Sequence, residues 1–340
     1  MMVRTLAAAA LSLALLLPLG AEAQAEKPEF VFKMASIAPD GTPWSEHLDE
    51  WKKRVAKESG GRIKLKTYWG GVLGDENVTV QETHRGAIHF FAGSVAALAS
   101  SVPELSVLEL PYLFRSFEEV DHILDEVILE DAKKLLWERG YVLVFWHENG
   151  WRSIGTRYGP IHGPQDVKGK KMRTQEVDTH LEMYRAYGAS PVPIAATEVL
   201  SSLQTGVVDG FDNTPLFSFA SSWYQGVSHY SVTRHIYQPG IMVMSRKSFE
   251  TLPKELQDVI LKDSLAEGHK GRKMVRALSP LLLQNFEAAG IELYRPTPEE
   301  LKALADAAQP VHTWFKKAKG ERAAALLSKI EKALAAHRAK

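Results

Sequence analysis

The chain has 340 residues, 45% of them hydrophobic, with 41 basic side chains set against 41 acidic ones. That balance, with no basic stripe along the chain, excludes the electrostatic footprint of a nucleic-acid-binding protein, so nucleic acid is not an expected partner. There is no cysteine, which removes disulfides, thiol nucleophiles and thiolate metal sites together.

The chain opens on a short basic head with Arg4, an apolar run from Leu6 to Leu19 and the small-residue string Ala21-Glu22-Ala23-Gln24-Ala25. This is the layout of a secretory signal peptide, spanning 1–25, with cleavage expected after Ala23 or Ala25. The run is shorter than the roughly 20 residues a bilayer crossing needs. About 315 residues then remain, more than one hydrophobic core usually organises, so two lobes are expected.

Phe30 to Ser36 reads as a buried strand. Thr42-Pro43 supplies a cap and a first-turn proline for a helix in which Trp44, Leu48, Trp51 and Val55 recur at helical spacing, and Gly60-Gly61 ends it. Arg62 to Tyr68 alternates as the next strand, a helix covers about Asp75 to Arg85, and an apolar segment runs from Ala87 to Gly93. A second strand, helix and strand series starts at Tyr141 to Trp146 and extends through Val208. Gly240 to Met244 returns to a strand pattern. From about Pro253 to Gly290 one long helix is expected, kinked at Pro280. Thr297-Pro298-Glu299-Glu300 joins a capping box to a first-turn proline, and the Ala- and Lys-rich tail from Glu321 reads as a final surface helix. Strands alternating with helices give an α/β fold.

Motifs of common exported enzymes are missing: the serine-hydrolase Gly-x-Ser-x-Gly, the zinc motif His-Glu-x-x-His, a P-loop and the dinucleotide glycine fingerprint. His84 with His89 and His229 with His235 come nearest to metal-ligand spacing, without an acidic third ligand, so neither a metal nor a cofactor is expected. Two arginines follow turns in apolar or small-residue settings: Arg152 in Glu148-Asn149-Gly150-Trp151-Arg152-Ser153, and Arg173 in Gly169-Lys170-Lys171-Met172-Arg173-Thr174. A guanidinium offers a planar fork that matches a carboxylate with two parallel hydrogen bonds, which lysine cannot copy.

Those segments have company. Phe32-Lys33-Met34-Ala35 with Thr42-Pro43-Trp44, Gly60-Gly61-Arg62-Ile63, Val72-Leu73-Gly74, Arg85-Gly86-Ala87-Ile88 and Leu110-Pro111-Tyr112-Leu113-Phe114 follow in order. Val167 to Thr174, Thr197-Glu198-Val199 and Leu203 to Gly210 continue the series. In this order the sequence resembles the solute-binding subunits of tripartite ATP-independent periplasmic (TRAP) transporters, the family typified by C4-dicarboxylate and sialic acid binding proteins.

The resemblance implies a two-lobed periplasmic binding protein fold, type II-like, with a hinged cleft and a long helix spanning both lobes. Lobe 1 would comprise 26–150 plus about 239–275, lobe 2 would comprise 151–238 plus about 276–310, and 311–340 would be a C-terminal helical segment. It implies no catalysis: a small organic carboxylate is captured in the periplasm and delivered to the small and large multi-span TRAP membrane subunits, by a protein expected to be a monomer. Arg173 matches the family's carboxylate-binding arginine, Arg152 a second pocket arginine, Asn213 a polar contact and Glu76 a first-lobe contact. Ala196 and Phe211 depart from the family pattern, which carries bulk and an amide at these places. With Trp69, Trp151 and Tyr237 as further aromatic candidates for the wall, they favour a carboxylate with an apolar or aromatic body, such as an aryl or branched 2-oxo acid. A partner of a membrane sensor, and an exported enzyme using Arg173 as anchor and a histidine as base, stay open as other readings.

Overall fold

The computed structural model describes residues 27–339; the expected export segment, 1–25, lies outside the described residues. Among these residues one nine-stranded sheet organises the molecule. Its strands are β1 (Phe30–Ser36), β2 (Ile63–Tyr68), β3 (Phe90–Ser94), β4 (Tyr141–Thr156), β5 (Lys171–Thr174), β6 (Ser190–Pro193), β7 (Gly210–Asn213), β8 (His229–Ser245) and β9 (Glu292–Tyr294). They lie in the order β2-β1-β3-β8-β4-β7-β5-β6, with β9 also on β8. The β1, β2 and β3 group is parallel, as is the β5, β6 and β7 group. The antiparallel pair β4 and β8 joins them.

The joining strands run to 16 and 17 residues, where the apolar runs Tyr141 to Trp146 and Gly240 to Met244 marked only one end of each. Their other ends carry Arg152, Ser153, Thr233 and Gln238, polar residues that are nonetheless buried, so hydropathy hides them. The β4 and β8 register shifts between Glu148 and Gly150, and Gly150 takes φ 101, a left-handed conformation that glycine adopts without a Cβ clash. This bulge lies between the two parallel groups, where a bend is needed.

Each group has its own core. Phe32, Met34, Trp44, Leu48, Trp51, Ile63, Phe90 and Met244 pack in the first. Val199, Leu203, Phe211, Trp223, Tyr230 and Phe286 pack in the second. Helix Pro43–Glu58 buries the expected Trp44, Leu48, Trp51 and Val55. The single long helix expected from Pro253 is two, Lys254–Leu261 and Ser264–Ala288. The break falls at Asp263, whose φ of 54 no helix continues through, and Arg54 caps the end of the first helix by donating to the carbonyls of Val259 and Lys262. Pro280 sits inside the second. That second helix packs on helix Pro43–Glu58 and β4, then reaches helix Pro215–Ala220 of the other group, so it spans both lobes.

The C-terminal hairpin also spans them. Pro298–Ala318, opened by the Thr297 and Glu300 capping box, packs on helix Asp178–Ala186, and Gly320–Arg338 packs on the Pro103–Glu109 and Ile123–Val127 turns. The last helix is more than a surface helix: Ala323, Leu326, Leu327, Ile330 and Leu334 enter the largest core cluster.

Candidate binding cleft

Parallel strands place functional groups at their carboxyl ends, and the crevice where the two parallel groups face each other is the expected site in such a sheet. The main cleft lies there. Ser36 ends β1, Gly93 and Ser94 end β3, and Arg173 and Thr174 end β5 with Gln175 just beyond it; Ser36, Gly93, Arg173 and Gln175 line the cavity. Asn149 and Gln238 enter it from the bulged region of β4 and β8.

Arg173 is the sole cation on the wall among the described residues. Its side chain is 2% exposed. Nε and Nη2 both donate to the carbonyl of Ile194, at 2.9 and 2.7 Å, and the guanidinium stacks 4.9 Å from the Trp223 ring centroid. Among the described residues no carboxylate forms an ion pair with it. Burial, then the nearby Arg152, push its pKa down to about 10, so it remains a cation at neutral pH while being poorly compensated. Such a buried charge is a strong attractor for an anion.

Arg152 is built the opposite way. Nε donates to Asp212 Oδ2 at 2.6 Å, Nη2 to the Asp212 carbonyl at 2.5 Å, and Nη1 to Gln238 Oε1 at 3.0 Å and Asn213 Oδ1 at 3.3 Å. Burial opposes charge on Asp212, yet Arg152 and then His235 hold its carboxyl well below the usual carboxylate range. Arg152 does not reach the cavity wall. It stands behind it and fixes two residues that do, Asn213 and Gln238. Asn213 also accepts the Thr214 N–H through its side-chain oxygen, so the amide nitrogen is what it offers the cleft.

From Gln238 the hydrogen bonds run on across the site. Its Nε2 donates to Gln175 Oε1 at 2.9 Å and to Glu109 Oε2 at 2.8 Å. Gln175 Nε2 in turn donates to Glu76 Oε2 at 3.0 Å and Ser94 Oγ at 2.8 Å. Glu76 is buried at the start of helix Glu76–Arg85, and Asp75 beside it accepts the Ala196 N–H at 3.2 Å. Burial raises the Asp75 pKa, with the Ala196 N–H and Arg173 working against it.

Of the residues singled out from the sequence, Arg173, Asn213, Glu76 and Ala196 meet on this wall. The aromatic ones do not, for packing reasons. Phe211 is fully buried one layer below, edge-on to Trp223 at 5.3 Å, so it supports the wall without forming it. Trp151 and Tyr237 pack edge-on at 5.4 Å beside Phe117, and the Tyr237 hydroxyl donates to Glu148. Trp69 leans half-buried on the first core. Asp75, Asn149, Gln175, Gln238, Trp44 and Trp223 complete the wall without having been singled out. Gln175 had a usable signal: it lies two residues beyond Arg173, just past the carboxyl end of β5.

Residues 34–318 match the family described as bacterial extracellular solute-binding protein, family 7. A solute-binding protein of Chromohalobacter salexigens is 31% identical over 254 residues, covering 75% of this chain and 74% of its own. A TRAP periplasmic solute-binding protein from Sulfitobacter sp. NAS-14.1, with bound β-D-galacturonate, superposes with a TM-score of 0.85 at 26% identity, covering 89% of this chain and 99% of its own. A second, from Chromohalobacter salexigens with bound D-glucuronate, gives 0.84 at 27% identity, covering 89% and 99%.

Proposed function

The chain belongs to bacterial extracellular solute-binding protein family 7, and from that premise we propose that it captures a hydroxylated monocarboxylate, held by Arg173, for a TRAP transporter. It is a TRAP-type solute-binding protein for small organic carboxylates, in a periplasmic family of transport proteins. The observation that carries the finer reading is the setting of Arg173: one unpaired buried cation in a wall whose other polar groups are amides, hydroxyls and carboxylates, set among apolar residues such as Trp44, Ile194, Phe217 and Trp223. The cation suits a single carboxylate. Asn149, Asn213, Asp75 and Glu76 suit the hydroxyls of a sugar-acid body. The uronates bound by the two similar proteins support this class. The preference for an aromatic or branched body rested on Ala196 and Phe211 both facing the cleft, with Trp69, Trp151 and Tyr237 as further wall; Ala196 lines it, but Phe211 is core and the other three lie off the wall.

Arg152 acts in this reading as a positioning residue for Asn213 and Gln238. Lobe 1 comprises the β1 to β3 group and lobe 2 the β5 to β7 group, with the boundary at the bulge of β4 and β8. The protein is exported by its leader and delivers the ligand to the TRAP membrane subunits. A thermal-shift panel of uronates, aldonates, C4-dicarboxylates and aromatic or branched 2-oxo acids tests the ligand class. Uronates or aldonates should raise the melting temperature most; stabilisation by the 2-oxo acids alone would overturn it.

A further inference from the structure

We infer that Glu76 is a specificity-determining residue that limits the cleft to one carboxylate, so that a ligand with two is admitted only together with a proton. The inference rests on the carboxylate-binding reading of the same cleft.

Glu76 is not a helix-start carboxylate turned toward solvent; it sits in a niche shaped for it. A Cβ at Gly93 would fall 2.3 Å from Glu76 Oε1, so only glycine leaves room for the carboxyl group there. The Ser94 N–H donates to Oε1 at 2.7 Å, and the Ser94 hydroxyl donates to Oε2 at 2.8 Å, beside the Gln175 amide. All three donors are neutral, and no cation forms an ion pair with Glu76 among the described residues. The charged groups around it are Asp75 on its own helix, Glu109 behind Gln238, Glu176 across the cleft and Arg173. Acids therefore outnumber cations on the wall, with Asp75, Glu76 and Glu176 against Arg173.

A monocarboxylate can pair with Arg173 and leave its remaining body neutral. The second carboxylate of a diacid has no cation left and would be desolvated among carboxylates, a costly arrangement. The group most readily neutralised is Glu76, whose pKa burial, and then Asp75, raise to about 7. Protonated, it no longer repels the second carboxylate and gains an O–H to donate. Diacid binding then takes one proton from solvent, and monoacid binding takes none. The sign follows: below about pH 7 Glu76 is already neutral and the discrimination fades, while each pH unit above it should weaken the diacid by roughly tenfold relative to the monoacid.

Gluconate and glucarate share a six-carbon hydroxylated chain and differ in carrying one or two carboxylates, both fully ionised between pH 6 and 8. Titration calorimetry of each at pH 6, 7 and 8 reads the ratio of their dissociation constants, in which effects common to both cancel. The ratio of glucarate to gluconate should rise roughly tenfold from pH 6 to pH 8. In Glu76→Gln, checked for folding by circular dichroism, the ratio should be flat across this pH range, whatever the change in the affinity for gluconate itself. A flat ratio in the unaltered protein, an equal rise in Glu76→Gln, or glucarate binding as tightly as gluconate at pH 8 would overturn the inference. The unaltered protein supplies two of these outcomes, so the test survives a variant that fails to fold. Arg173→Ala tests the underlying reading separately: it should abolish gluconate binding. If gluconate binds Arg173→Ala normally, or neither acid binds the unaltered protein, the reading fails and the inference with it.

Discussion

Arg152 and Arg173 lie two strands apart in one sheet, both almost wholly buried, and answer to different free energies. Removing Arg152 would strand the Asp212 carboxylate, 0% exposed, without its cation, and breaking such a pair typically costs about 3 to 5 kcal/mol. Arg152→Ala should therefore lower the urea midpoint of the ligand-free protein markedly. Arg173 has no such partner, and Arg173→Ala removes a poorly compensated buried charge; urea unfolding should show little change. Its loss should appear in binding, at roughly a hundredfold or more in affinity, and Arg173→Lys should also bind poorly because the second parallel hydrogen bond is gone. An Arg173→Ala affinity within about threefold of the unaltered protein would remove the anchor role. The sequence pointed to both arginines as pocket residues but could not place Arg152 behind the wall, because Asp212 comes beside it only through the β4 and β7 register that pairs Ser153 with Asn213 and Ile154 with Asp212. Pairing partners sixty residues apart leave no local pattern.

Helices and strands were legible where hydrophobic period and end signals agreed, as in Pro43–Glu58 with its proline and terminal glycines, or Pro298–Ala318 with its capping box. They were misread where side chains satisfied both solvent and core. The final helix, with lysine, alanine and leucine mixed, looked like a surface element, yet Leu327 and Ile330 are fully buried, and the helix packs on the Pro103–Glu109 and Ile123–Val127 turns. The two assignments differ by a measurable amount. A surface substitution usually stays within about 0.5 kcal/mol, whereas truncating a buried Leu or Ile costs about 2 to 5 kcal/mol. Leu327→Ala and Ile330→Ala should each fall in the second range by denaturant unfolding, with no change in m-value. A loss under 1 kcal/mol in both would mean that this helix is not part of the core. The break at Asp263 was missed for a related reason, since the apolar period continues on both sides and the stop is set by Arg54, a residue 209 positions earlier that takes the end carbonyls.

At the scale of the molecule three consecutive residues carry hydrogen bonds across the cleft, beside the one from Gln175 to Ser94. Asp75 accepts from Ala196, Glu76 accepts from Gln175, and Asn77 Nδ2 donates to Glu176 Oε2 at 2.5 Å. Asp75, Glu76 and Asn77 lie at the start of helix Glu76–Arg85 and their partners lie beside β5 and β6, so in the proposed division into lobes an opening at the β4 and β8 bulge would break all three together. These bonds favour the arrangement seen here, and the ligand would add its own contacts from both sides, which is how a ligand biases a hinge. Net worth per hydrogen bond is about 0.5 to 1.5 kcal/mol, enough for each to shift the open and closed populations by roughly two- to tenfold. Asn77→Ala lies at the cleft edge, away from Arg173, and should weaken ligand affinity within that range. In small-angle scattering the ligand-free Asn77→Ala protein should be more expanded than the unaltered one, and saturating uronate should bring both to the same compact radius. Equal radii for the two ligand-free proteins, together with equal affinities, would show that the bond between Asn77 and Glu176 does not hold the lobes closed.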